Sequence, residues 1–520
     1  MRVAASRLIG SPFSLHLPRV ASALTHPQLE YIRFRSLRGV PAATTLARSR
    51  SARRSGIIQC GERLIPMPAQ LGRSIDDHKS SPSDGVRLAG IVTAVAWGFL
   101  ACRSHTSHTA LLAAMLAAVA IAWLALGWAW RRVTLRHSRE ILLFALLFRS
   151  AAFFALPVME DDYHRFLWDG YRFAVTGDPY AKPPQAHFSD DTIPPKFRGV
   201  LDRINHPDVP TIYGPLLQWA FRLSHGIAPA QLWPWKLILL AAEATTIVVL
   251  WAGLGARGRL LLAWCPLAIF ETGFNAHPDA LAIMLLVLSW RWSRKSLSVA
   301  AGLAAGLAVA TKVFALLIIP FVLWRLGRRA WAAALGTIVL LYAPFWLRGS
   351  AADLAGLRAM AGEWEFNSSL FAIAKAVLPL DMARALCGLA FGVVWLALLR
   401  RWATSSDRSR AMVRGLPPGE WIYGAFLLLS ATANPWYFLW LWPFVAARPS
   451  SIGLAALAAV SLAYVTGLNL GDGSLGSFEH PAWLRPLEFG LIGCAACWDA
   501  RKQKTRPGTL PDGSASRQAW

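Results

Sequence analysis

The apolar residues of this 520-residue chain are gathered into long runs, and that arrangement limits the fold more than any other feature. Runs occupy 87–104, 109–130, 139–158, 233–253, 258–274, 277–292, 297–311, 313–325, 330–347, 383–401, 420–433, 436–447, 451–469 and 483–499. A helix of about 20 apolar residues crosses the roughly 30 Å hydrocarbon layer of a bilayer, because it satisfies its backbone polar groups internally. Charged residues are 16% of the chain, well below the roughly 25% of soluble domains. A soluble enzyme, a disordered chain and a secreted disulfide scaffold are excluded. The sequence reads as an all-α, polytopic transmembrane helical bundle of about 12 to 14 spans. Several runs are too short to cross unaided, so some spans are broken, tilted or dipping. No internal repeat is visible.

The formal net charge is +24. Lys and Arg sit in short loops between apolar runs, the pattern of loops kept on the cytoplasmic side, so the charge does not point to nucleic acid. Arg131–Arg132, Arg257 with Arg259, Arg291 with Arg294 and Lys295, Arg328–Arg329, Arg400–Arg401 and Arg501–Lys502 can all lie inside. This requires 211–227 to be re-entrant or juxtamembrane rather than a full crossing. The polar clusters at the other helix ends then share the outer face. They are Glu160-Asp161-Asp162, Asn275 to Asp279, Lys312, Glu363 to Ser369 and Asn434 to Tyr437. A site built from several loops on one membrane face suits an enzyme or a transporter.

Residues 1–85 are basic and lack a long apolar run, as a disordered tail, a targeting presequence or an extension ahead of a start at Met67 would. The membrane domain covers 86–500, and 501–520 reads as a cytoplasmic tail. Cys494 and Cys497 form a CxxC inside an apolar run and read as packing residues rather than a redox or metal pair.

Residues 159–210 are the longest polar stretch of the membrane domain. They contain nine acids and six Lys or Arg, an acidic balance in a basic protein. Trp168, Tyr171, Phe173, Tyr180 and Phe197 let this outer loop pack, so an ordered layer of short helices is expected. Glu160-Asp161-Asp162 follows an apolar run directly. Carboxylates at that boundary are partly desolvated, which raises their pKa. They suit a general base toward a hydroxyl or oxygen ligation of a divalent cation. The plainer alternative is a cap for the next helix.

The stretch EDDYHRFLWDGYRFAVTGDPY, followed by RINHPDVPTIYGPLLQ, resembles the first outer loop of the GT-C superfamily. It resembles more narrowly the bacterial polyprenyl-phosphate-mannose-dependent mannosyltransferases. The matching positions are Asp161/Asp162, Arg165, Trp168-Asp169-Gly170, Gly177 with Pro179-Tyr180, Asn205-His206-Pro207, and Tyr213 with Pro215. NAHPDALAIMLLVL, GLAVATKVFALLIIP, FNSSLF and NPWYFLWLWPF follow in the family's order, so the resemblance covers roughly 140–445. Two departures stand out. The triplet is Glu-Asp-Asp rather than Asp-x-Asp, and Lys312 is followed by Val313-Phe314 with Pro320 later.

The resemblance implies an inverting glycosyltransferase that moves a sugar, mannose by family, from a polyprenyl phosphate to a glycan or lipid acceptor. The reaction would occur at the outer face of a bacterial inner membrane. Asp162, which precedes Tyr163, is the expected base, with Asp161 and Glu160 as neighbours. Lys312 is the leading candidate for the donor phosphate, because an unpaired ammonium between apolar helices is costly. Arg165, His277, Asp279, Asn275, Tyr213, Asn367 and Trp436 are further candidates for donor sugar or phosphate. Trp364 and Phe366 are candidates for stacking on sugar. Glu271 and Glu243, inside apolar runs, call for partners or a function.

The expected partners are the lipid-linked donor, a glycan or glycolipid acceptor and the bilayer, with no nucleic acid. No metal site is assigned, although a divalent cation is compatible with the acidic triplet. The competing function is a transporter or flippase of a lipid-linked sugar, for which paired halves and midplane charges would be expected. A catalytically dead scaffold is a weaker third reading.

Overall fold

Proline and helix length decide which apolar runs become continuous helices. The computed structural model describes residues 82–105, 108–404, 415–466 and 480–504. The basic extension up to residue 81 and the tail from 505 lie outside the described residues. Among the described residues, five helices are long and apolar enough to cross a membrane: Asp84–Arg103, Leu111–Trp130, Trp233–Trp251, Arg328–Trp346 and Leu380–Thr404. Shorter apolar helices include Ser298–Thr311 and Gly419–Leu429. The expected 12 to 14 spans also counted runs that fold as broken pieces. Run 258–274 is helix Ala256–Trp264, a turn restarted by Pro266, and a π-helical turn Ile269–Phe274. Pro320 and Pro443 likewise open short helices after 3-10 turns. Proline is tolerated at a first helical position because its missing N–H has no partner there anyway.

The bundle is apolar outside and polar at selected points inside. Helix Leu380–Thr404 exposes Leu386, Leu389, Val393 and Leu396, as a lipid-facing surface requires. In the interior, Arg149 donates to both oxygens of Glu243 at 3.2 and 3.3 Å and to the Ala263 carbonyl at 2.8 Å. Glu243 therefore has a partner, and the pair joins three helices. Lys236 donates to the carbonyls of Ala152 and Ala155 at 2.9 and 2.6 Å, closing the C-terminal end of helix Ser138–Phe154. Cys494 and Cys497 correct the sequence reading. Both are exposed free thiols on helix Leu484–Lys504, because the register of that helix turns them away from the bundle.

The first outer loop folds as a layer of short helices: Tyr163–Thr176, a 3-10 turn Pro184–His187, Pro195–Leu201 and Pro215–Ile227. The last of these has 13 residues, about 20 Å at 1.5 Å per residue, and falls short of the hydrocarbon thickness. The Trp-Asp-Gly motif has a physical role at each position. Trp168 fills a small core with Tyr171, Phe197 and Leu201. Asp169 gathers hydrogen bonds described below. Gly170 lets helix 163–176 approach helix 215–227 closely, since a Cβ there would sit 2.5 Å from the Phe221 carbonyl oxygen. Gly170→Ala is expected to cost about 1–3 kcal/mol, the usual penalty of overpacking. A lowered unfolding midpoint in detergent checks this, and an unchanged midpoint contradicts it. Among the described residues, extended pairing is limited to one bridge between Phe366 and Thr432.

Candidate active site

The cavity lies where helix polarity reverses. Helix Asp279–Arg294 starts beside it and ends at Arg291 and Arg294. Helix Ser298–Thr311 returns and ends beside it, with Lys312 as the next residue. The cavity has a volume of about 340 Å³. Glu160, Asp162, Arg165, Tyr213, His277, Lys312 and Trp436 line it together with Asn205, His206, Asp353, Trp364 and Tyr437. Six separate chain segments thus meet around one chamber. The chamber combines apolar walls with converging polar groups, the usual make-up of a ligand site.

Asp162 stands at the N-terminal boundary of helix Tyr163–Thr176, yet its side chain makes no capping hydrogen bond. It accepts from the Tyr213 hydroxyl at 3.2 Å and faces His277 Nε2 at 3.9 Å. The capping alternative for this residue is thereby set aside. Carboxyl oxygens of Glu160, Asp161 and Asp162 come within 4.8 Å of one another. This is the group of carboxylates that could ligate a cation through oxygen, and closeness of acids alone does not make a metal site.

Burial first, and then the like charge of Asp162, push the Asp161 carboxyl up to about 7. Below that pH a proton on Asp161 removes one of two adjacent negative charges. The unfolded chain holds the same proton only up to the ordinary value of 3.8. Between the two values the folded state binds more protons, so this group's contribution to stability falls as pH rises from about 4 to about 7. Asp161→Asn removes that slope, and its melting midpoint should gain on wild type between about pH 5 and 8. A midpoint difference that stays constant with pH contradicts this.

His277 is fully buried and sits in a cage. Its Nδ1 lies 2.8 Å from Glu271, which also accepts from Asn275 Nδ2 at 3.1 Å and from the Tyr464 hydroxyl at 2.5 Å. A carboxylate with three donors around it accepts from the imidazole, so the Nδ1 proton points to Glu271. Nε2 is then left toward the cavity, where no protein group hydrogen-bonds it. The ring stacks on Trp436 at 4.2 Å between centroids. The Nδ1 bond and the stacked face thus hold the ring in one orientation.

Lys312 donates to both oxygens of the fully buried Asp279 at 2.7 Å, and Trp440 Nε1 adds a third bond to that carboxylate at 2.6 Å. These bonds hold the lysine in position, with its Nζ 4.7 Å from the Tyr437 ring. Arg165 is tied to Asp169 at 3.0 Å and to the Val209 carbonyl at 3.0 Å. Asp169 also accepts from Thr211 and Gln218 at 2.6 and 2.9 Å, which pins the strap carrying Tyr213 against two helices.

The sequence-derived candidates therefore divide into two groups. Asp162, Glu160, Lys312, Arg165, His277, Tyr213 and Trp436 reach the cavity wall. Asn275, Asp279 and Asn367 do not line it. Asn275 is spent on Glu271, and Asp279 on Lys312 and Trp440. Asn367 Nδ2 donates to Glu488 at 3.0 and 3.1 Å from a fully buried position. Asp161 does not line the cavity either, and its carboxyl lies within 4.8 Å of those of Glu160 and Asp162. Tyr464 and Asp353 were missed. Tyr464 lies inside an apolar run with no polar neighbour to mark it, and Asp353 carried only the weak signal of an acid at a helix start.

Fold and cavity together define a multi-pass membrane protein with a carboxylate- and lysine-lined chamber at one end of its helices. Residues 86–328 match the family model for the alpha-(1->6)-mannopyranosyltransferase N-terminal domain, the MptA_B family. The match bears out the resemblance drawn from the motifs: over this span the chain is similar to a mannosyltransferase family, whose chemistry is glycosyl transfer. No curated protein and no solved structure matches the chain.

Proposed function

We propose that the protein transfers mannose from a polyprenyl-phosphate donor to a membrane-associated glycan or lipid acceptor, by one inverting displacement in this cavity. The observation that carries the reading is the placement of a carboxylate that does not cap its helix, Asp162, and a half-buried lysine, Lys312, on the wall of one chamber. The acceptor hydroxyl oxygen forms a bond to the anomeric carbon while the bond from that carbon to the phosphate oxygen breaks. The hydroxyl proton goes to Asp162, and the electron pair leaves on the lipid phosphate beside Lys312. Positioned base catalysis contributes about 10²–10⁴-fold, and a fixed cation at the leaving oxyanion supplies a comparable amount. Tyr213 holds Asp162 in place. Glu271 is a positioning residue that fixes His277 so that Nε2 meets the sugar or its phosphate. No step requires a divalent cation.

The chamber lies at the helix ends opposite Arg291, Arg294 and Lys295. Basic loops retained in the cytoplasm would put it at the outer face of a bacterial inner membrane. A lipid-carried donor suits that face. The test is a competition between donors. Purified protein in lipid should transfer label from polyprenyl-phosphate-mannose and not from nucleotide-linked mannose. Transfer from the nucleotide sugar alone would overturn the reading, and transport of the lipid without transfer would favour a flippase.

A further inference from the structure

The cavity has two chemically different walls. On the first, Lys312 stands beside Phe314 and Tyr437. Phe314 packs on Phe426 at 5.0 Å, and Phe426 packs on Phe391 at 5.6 Å. Phe391 belongs to helix Leu380–Thr404, whose outward residues Leu389 and Val393 are exposed. An aromatic path therefore runs from the lysine to an apolar outer surface, as a lipid phosphate with its tail would need.

The second wall is helix Leu354–Glu363 with its flanks. Asp353, Leu357, Met360 and Trp364 all line the cavity. Their spacing of four, three and four places them on one helical face, about 15 Å long for ten residues. Trp364 is half-buried, and the His206 ring rests on it at 4.6 Å between centroids and 37°. His206 has a φ of 50°, a conformation that costs a non-glycine residue energy and collects at ligand clamps. Asp353 is only 3% exposed. One of its oxygens accepts from the Tyr342 hydroxyl at 3.1 Å, and the other, Oδ1, has no hydrogen-bond partner. A buried acceptor left in that state is costly unless a ligand supplies a donor. The Lys and Arg residues on the cavity wall are Lys312 and Arg165, each already paired with a carboxylate. The second wall therefore offers aromatic and apolar faces and a buried carboxyl oxygen, and no cation of its own for a phosphate.

We infer that this second wall is the acceptor subsite, and that it takes the terminal neutral sugars of a glycan. Pyranose C–H faces pack on the Trp364 and His206 rings and on Met360 and Leu357, while a sugar hydroxyl donates to Asp353 Oδ1. The inference rests on the proposed transfer reaction for its meaning but not for its detection. The probe is mannobiose, titrated into the full-length protein in nanodiscs and followed by calorimetry. Trp364→Ala should weaken binding about tenfold, the value of one aromatic contact. Trp364→Phe should restore most of it, because a ring face remains. In the transfer assay, Trp364→Ala should raise the acceptor KM about tenfold and shift the donor KM less than twofold. No mannobiose binding to wild type, or equal binding by Trp364→Ala, overturns the subsite. A larger effect on donor KM than on acceptor KM would assign this wall to the donor and overturns it too. Mannobiose binding with no transfer from any donor would sink the proposed reaction and leave a glycan-binding site standing.

Discussion

Asp162→Asn should reduce transfer by about 10²–10⁴-fold while leaving the protein folded. The amide keeps the shape of the carboxyl group and can still accept from Tyr213, which lies 3.2 Å away. It cannot take a proton from the attacking hydroxyl. The side chain does not cap its helix, so the substitution removes no local support. Removing one negative charge beside Asp161 also relieves the repulsion that raises the Asp161 carboxyl. The variant should therefore melt at or above the wild-type temperature near neutral pH. Low activity in a protein at least as stable separates loss of chemistry from loss of fold. Activity within a few-fold of wild type would move the base to Asp161 or Glu160.

Lys312 carries the second large effect, and its ion pair makes stability and function separable. Lys312→Met leaves Asp279 fully buried with only Trp440 donating to it. An unpaired buried charge of this kind destabilises by about 3–5 kcal/mol. Adding Asp279→Asn removes the uncompensated charge and keeps an oxygen for Trp440. The double variant should recover most of the lost stability, because buried ion pairs contribute little over neutral groups of similar volume. Transfer should remain depressed by about 10²–10³-fold in both, since neither offers a cation to the departing phosphate. Thermal melts and transfer rates on the three proteins check this. If activity returns together with stability in the double variant, Lys312 is structural only.

The membrane bundle was legible because hydrophobic runs and basic loops are statements about local composition. The first outer loop was legible too, since its aromatic residues had to pack and its Pro and Gly residues marked short helices. Broken spans were harder to read. In 258–274 the apolar run continues through Pro266, and only the fold reveals that it restarts twice. The site divides along the same line. Asp162, Lys312, His277 and Trp436 were marked by being polar or amphipathic at the ends of apolar runs, and all reach the cavity. Asn275, Asp279 and Asn367 carried the same mark, but composition cannot distinguish a residue that touches substrate from one that holds its neighbour. Asp279 is 33 positions from Lys312 in sequence, and the bond between them exists only because two antiparallel helices bring their ends together. Tyr464 lies 193 positions from Glu271 and gave no sign of its role. Trp364 was marked as a candidate for stacking on sugar, but Asp353, Leu357 and Met360 had no visible meaning until the fold put that helix beside the strap bearing His206.

The most direct measurement is a single-turnover reaction in nanodiscs with radiolabelled polyprenyl-phosphate-mannose and a membrane glycolipid extract, run on wild type, Asp162→Asn and the Lys312→Met/Asp279→Asn pair. The expected result is label in the acceptor for wild type and almost none for the two variants, with all three proteins folded and still binding donor lipid. Transfer at the wild-type rate by both variants would contradict the assignment of the chemistry to this cavity.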